Sequence, residues 1–351
     1  MEIEQPKKNA NLLKNAQNDK QRGLSELKTC ALCFKCSPSY ETAIPFLKNA
    51  ATGFNALSDI KEEIECRNHL IDCFRYTKSF WEEGNELEKV AYLQLKGLNN
   101  PNDALISIQN SHLAYYNKGD YQEATNCVHK LSLVFKELKY MDHAEKALAV
   151  NYNSSLKYGH VVLSKEDDLH DYIYKSFNTY FGVLIANDKT TVAIESANNL
   201  IKSLEAHEND KSEILNLYLL LACGKIINED SNVESILDKA KEYSSDRSDN
   251  SRINSIRSIL NAVIKGDEKI FNDNSYEAFI NFDNEVVKKI KVTLDKNSSG
   301  DKSNNDFLGG GGRISKIKEK ELEEEYLGNN KNDNINNKEI DNTHDKDDEF
   351  L

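Results

Sequence analysis

The chain is predicted to be all-α, a solenoid of antiparallel helix hairpins closed by a C-terminal helical bundle. Three observations predict it. Only four prolines occur, and none follows Pro101 in the remaining 250 residues. Proline removes a backbone donor and clashes inside a helix, so its absence permits long helical runs. Apolar residues recur at three- and four-residue spacings through most of the chain. The aromatics Tyr40, Phe80 and Tyr121 open every second helix at separations of 40 and 41. A period of that size built from helix pairs implies hairpins that bury their apolar faces only against neighbours.

The elements follow in order. Residues 1–20 are polar and read as a flexible lead; a first helix is expected from Gln21 to Phe34 on Leu24, Leu27, Ala31 and Phe34. Ser37-Pro38-Ser39 breaks it, and Ser39 can cap a second helix whose inward face is Ala43, Phe46, Leu47, Ala50, Ala51 and Phe54, with a bend expected at Pro45. Ile60–Tyr76 carries Ile64, Asn68, Ile71 and Phe74 on one stripe. Phe80–Leu98 comes next, and Pro101, placed where a helix start favours proline, introduces a helix through Lys118. Further helices are expected at 120–138, 141–158, 167–186, 191–205, 211–228, 233–243 and 252–265, with a last long one over 276–294. These divide into a hairpin solenoid over 21–230 and a bundle over 231–295. Residues 296–351 are rich in Asn and Asp, with a glycine run at 309–312, and are expected to be disordered.

Composition limits the function. Net charge is −13, of which residues 301–351 contribute −6, leaving −7 for the body. General phosphate neutralisation is disfavoured, and no nucleic-acid partner is expected. The longest apolar stretch, 214–223, is interrupted by Asn216 and is far shorter than the roughly 20 residues that cross a bilayer. The first residues lack an apolar run, so no secretory leader is read there. Seven cysteines then imply free thiols in a reducing compartment, which points to the cytoplasm.

No nucleophile–base set is apparent, so no catalytic residue is nominated and an enzyme is not expected. Cys30, Cys33 and Cys36 have a spacing that could ligate metal, but the next ligand position holds Tyr40 and no nearby histidine completes a site. Neither metal nor cofactor is expected. His160, Asp167, Asp168, His170 and Asp171 read as helix-start capping. The glycine run has no preceding strand and no following Lys-Ser/Thr, so it reads as a joint.

Two resemblances sharpen the reading. Tyr115-Tyr116-Asn117-Lys118-Gly119-Asp120-Tyr121-Gln122-Glu123-Ala124 resembles the interhelical turn of a tetratricopeptide repeat, although the period here exceeds ~34 residues. The stretch from Cys33 to Ala43, with Lys48-Asn49-Ala50-Ala51, Gly53-Phe54 and the glycine run after Phe307-Leu308, resembles the soluble NSF-attachment proteins, most of all their gamma branch. The resemblance implies a tetratricopeptide-like adaptor that binds a syntaxin-type SNARE four-helix bundle, recruits the hexameric ATPase NSF, and so supports SNARE disassembly in vesicle fusion and ER–Golgi transport. It implies peripheral association with vesicle, ER, Golgi or vacuolar membranes through the first hairpin loop, here Leu32, Cys33, Phe34 and Cys36. Cys33 and Cys36 stand where the family has aromatics, which makes them candidates for S-acylation. Lys130 and Lys175 fall in helices that supply SNARE contacts in the family, and Phe350 and Leu351 end an acidic run like the one that contacts NSF. The alternative from another class is a helical-repeat scaffold subunit of a different complex.

Overall fold

The computed structural model describes residues 4–29, 37–162, 169–206 and 211–298. Among them every regular element is helical. The helices are α1 (Glu4–Leu27), α2 (Tyr40–Ala56), α3 (Ile60–Tyr76), α4 (Phe80–Tyr92, continued as a π-turn to Gly97), α5 (Pro101–Lys118), α6 (Tyr121–Glu137) and α7 (Met141–Val162). They continue as α8 (Leu169–Ala186), α9 (Thr190–Glu205), α10 (Lys211–Ile227), α11 (Val233–Glu242), α12 (Arg247–Lys265), α13 (Glu268–Ala278) and α14 (Asn284–Ser298).

The hairpin repeat is written into the backbone turns. Ser58, Lys78, Asn99, Gly119 and Lys139 each adopt positive φ, 20 or 21 residues apart, and Asp188 and Glu229 repeat the device 41 residues apart. At most of these ends the following amide bonds back to a carbonyl five residues earlier, as in Asp59 to Phe54, Ser79 to Phe74, Asp120 to Tyr115 and Tyr140 to Phe135. That bond satisfies an orphan carbonyl and turns the chain sharply. Asp59, Asn100 and Asp120 then accept an amide from the next helix's first turn, so each reversal ends one helix and caps the next.

From α1 to α13 consecutive helices pack on each other, and α4 with α6, α5 with α7, α6 with α8 and α7 with α9 also pack as second neighbours. Thus α5, α7 and α9 form one layer, while α4, α6 and α8 form the other. This is a helix-hairpin solenoid. α10, almost wholly buried from Ile214 to Ile227, packs on α9, α11, α12 and α14 and is the pivot of the C-terminal bundle. The bundle reaches back through α14, which packs on α8.

Several expectations need correction. The first helix starts at Glu4, not Gln21, so the expected flexible lead includes helix. Ala16 is 2% exposed against Phe54, and Lys20 bridges Glu62 and Glu65, both at 2.8 Å, which gives the polar segment a docked face. The expected single helix over 276–294 is two helices. Phe279 and Phe282 bury themselves in the turn between them, and Asn281 takes φ 67°. On α3 the inward residues include Cys66, Leu70 and Cys73, while Asn68 is exposed. α2 runs unbroken through Pro45, and Ser39 makes no side-chain cap bond. α14 extends to Ser298, past the expected start of the tail.

Close approach fixes the first hairpin. A Cβ on Gly53 would lie 2.8 Å from the Ala16 Cβ, and one on Gly23 would lie 2.7 Å from the Leu47 Cγ. Neither neighbour can swing aside cheaply. Gly53→Ala is therefore expected to lift α1 from α2 at a cost of about 1–3 kcal/mol. Limited proteolysis should then cut faster within 9–27; an unchanged rate would mean α1 is not held by this contact.

Candidate functional site: a lysine-bearing helix face

The described residues contain one feature that the 41-residue period carries from helix to helix. Lys48 on α2, Lys89 on α4 and Lys130 on α6 are 41 residues apart, and Lys175 follows on α8. Lys48 and Lys89 line one open groove of about 430 Å³ together with Arg67, Phe74, Trp81 and Glu86. The Lys48 ammonium lies 5.2 Å from the Phe74 ring centre, and Trp81 is 43% exposed at the groove edge. Lys89 and Lys130 both act electrostatically on Glu88 and favour its charged form. Next along, α6 packs on α8, where the His129 ring and the Thr179 hydroxyl are 3.0 Å apart. Lys175, one turn before Thr179, in turn bears on His129.

Lys130 and Lys89 are partly exposed, and their carboxylate partners differ in how firmly they are held. Lys130 approaches Glu123 only to 3.5 Å, and Lys89 donates to Glu86 at 2.7 Å. The exposed Lys130–Glu123 pair contributes little and exchanges readily with a competing anion. Beneath them the support is rigid. Arg67 donates to Glu63 through Nε and Nη2 at 2.9 and 2.7 Å and to Glu86 through Nη1 at 2.6 Å. Glu63 also accepts from Asn55 at 3.0 Å. The side chains of Glu63 and Glu86 are only 2% and 6% exposed. Burial opposes the Arg67 charge, but the two carboxylates outweigh it and hold its pKa above the ordinary value. The network locks α3 to α4 and so sets where Lys89 stands.

Glu88 is the acidic counterweight on this face. Its pKa is raised, chiefly by burial and also by Glu123, against the opposing effects of Lys130, the Tyr115 hydroxyl and Lys89. A carboxyl raised in the folded state costs stability when ionised, and stability returns as pH falls through the folded value toward the unfolded one near 4.5. Glu88→Gln should therefore raise the denaturation midpoint at pH 7, with a gain that shrinks on acidification toward pH 4.5. A gain that persists undiminished at acid pH would show that the effect is not electrostatic.

Of the residues nominated from sequence, Lys130 and Lys175 are brought onto adjacent helices of one layer. Lys48 and Lys89 were missed, although the period already visible in Tyr40, Phe80 and Tyr121 applies equally to lysine. Leu32, Cys33, Phe34 and Cys36 lie outside the described residues, as do Cys30, the glycine run, Phe350, Leu351 and the tail from 299 onward; so do the side chains of His160, Asp167, Asp168, His170 and Asp171. What is described is the hairpin that presents the loop: Ser39 donates to the Glu26 carbonyl at 2.9 Å, joining the ends of α1 and α2. Among the described residues no group of three or more His, Cys, Asp or Glu is placed to hold a metal ion. No described helix is long and apolar enough to cross a membrane. No known protein-family description matches the chain, and no curated protein is found to be similar to it.

Proposed function

We propose that this chain is a non-enzymatic adaptor whose lysine-bearing face docks an acidic helical partner of the SNARE four-helix type. Its C-terminal region would then recruit the NSF ATPase for disassembly of that partner. The observation that carries the reading is the run Lys48–Lys89–Lys130–Lys175 along consecutive helices of α2, α4, α6 and α8. Repeated charge along neighbouring helices suits a long, rigid, acidic rod better than a small ligand, because each repeat offers one weak contact and the sum depends on length. The groove beside Trp81 adds apolar area for the same partner. The resemblance of the first hairpin to the soluble NSF-attachment proteins supplies the identity of rod and ATPase, and with it peripheral membrane association and the gamma branch.

The test is capture of NSF on immobilised SNARE bundle. NSF should be retained only when both the bundle and this chain are present. Retention of this chain by the bundle without NSF recruitment would support the second reading, a helical-repeat scaffold of another acidic assembly. No retention on the bundle at all would reject the adaptor reading.

A further inference from the structure

The turn between α13 and α14 grips both C-terminal helices of the lysine-bearing layer at once. The Asp283 carboxylate pairs with Lys136 of α6, and its side chain is only 8% exposed there. The same carboxylate accepts the Glu285 amide at 3.0 Å, capping α14. On α8, the Asn178 side chain holds the backbone of the turn: its Nδ2 donates to the Asn281 carbonyl at 2.7 Å, and its Oδ1 accepts the Asp283 backbone amide at 3.2 Å. One turn further along α8, Gly182 provides the space in which Asp283 sits; a Cβ there would lie 2.6 Å from the Asp283 Cβ. Lys289 of α14 pairs with Asp188 at the end of α8. The bonds across to α6 and α8 join residues 101 to 147 positions apart, so no local tendency of the chain accounts for them.

We propose that this turn is a latch through which the C-terminal bundle sets the spacing of α6 and α8, and therefore of Lys130 and Lys175. Its grip on α6 and α8 is polar, whereas its buried Phe279 and Phe282 pack in line with Phe271 of α13, and α14 is seated by the apolar side chains Val286, Ile290 and Leu294. A few polar bonds open at lower free energy than an apolar face separates, so the turn can let go of α6 and α8 while α13 and α14 stay docked. Release removes the turn's hold on α6 and α8 together. It frees the pair to shift about the His129–Thr179 contact. An event at the bundle is thereby coupled to the binding layer, and the coupling runs equally in the other direction.

Hydrogen exchange on the full-length chain tests this without any partner, so its outcome is independent of the adaptor reading. Three variants release the latch by different means: Asp283→Asn keeps the cap but discharges the pair, Asn178→Ala removes the backbone grip, and Gly182→Ala displaces the turn while leaving every charge in place. Each should raise exchange together in 279–285, 126–138 and 172–186, by about tenfold in rate at the affected amides. Protection in 40–118 should be unchanged, which also shows that the variant is folded. A rise confined to 279–285 would make the turn a local cap and overturn the proposal. So would a loss of protection spread through 40–118, which would make the contact part of one indivisible core.

Discussion

Reversing the four lysines, as Lys48→Glu, Lys89→Glu, Lys130→Glu and Lys175→Glu together, is expected to abolish binding to an acidic four-helix bundle while leaving the fold intact. An exposed ion pair contributes about 0.2–1 kcal/mol, and reversal replaces that attraction with a repulsion of similar size. Four sites then sum to several kcal/mol, a loss of affinity on the order of a thousandfold at 1.4 kcal/mol per tenfold. Lys130→Glu with Lys175→Glu alone should give about the square root of that loss, since the sites are spaced along different helices and contribute nearly additively. The slope of affinity against salt should flatten in step with the number reversed. Fluorescence anisotropy of a labelled bundle over a salt series measures both quantities. Binding that falls for Lys130 and Lys175 but not for Lys48 and Lys89 would confine the face to α6 and α8. Full binding by the fourfold variant would remove the lysines from the site.

The second large effect concerns stability beneath the same face. Arg67→Met should leave Glu63 and Glu86 buried without their shared cation, at a cost of about 3–5 kcal/mol. Asn55 still donates to Glu63 and Lys89 to Glu86, so the loss should fall within that range without exceeding it. Because a solenoid is held repeat by repeat, the damage should appear as local opening of α2 to α4 before any global transition. Urea denaturation read by proteolysis of 40–92 would show it, with the C-terminal bundle unaffected at the same concentration. Adding Glu63→Gln and Glu86→Gln to Arg67→Met should restore much of the stability, because the charges that demanded Arg67 are then gone. If Arg67→Met alone is neutral, the network contributes position but no net energy.

How much of this was legible beforehand depended on range. Helix type, the hairpin period and the reversal points are local properties, carried by apolar spacing, by cap residues such as Asp59, Asn100 and Asp120, and by turn residues spaced 20 or 21 apart. Lys130 and Lys175 were reached through resemblance, and the same 41-residue period would have added Lys48 and Lys89. The helical start at Glu4 escaped because a polar segment declares its buried face only through a partner, here Phe54 and Gly53 against Ala16. The break at 279–283 escaped because no proline or glycine marks it; buried Phe279 and Phe282 and the grip of Asn178 hold it.

By itself, then, the sequence determined an all-α chain of hairpins with a period near 40, because every signal for that conclusion acts within one or two helical turns. The tertiary structure alone decided which carboxylates are buried beneath the lysines, and that the α13–α14 turn closes on α6 and α8. Those outcomes rest on contacts between residues from 19 to 147 positions apart. Pairings at such separations are selected by packing and burial, and no periodicity within a single helix records them.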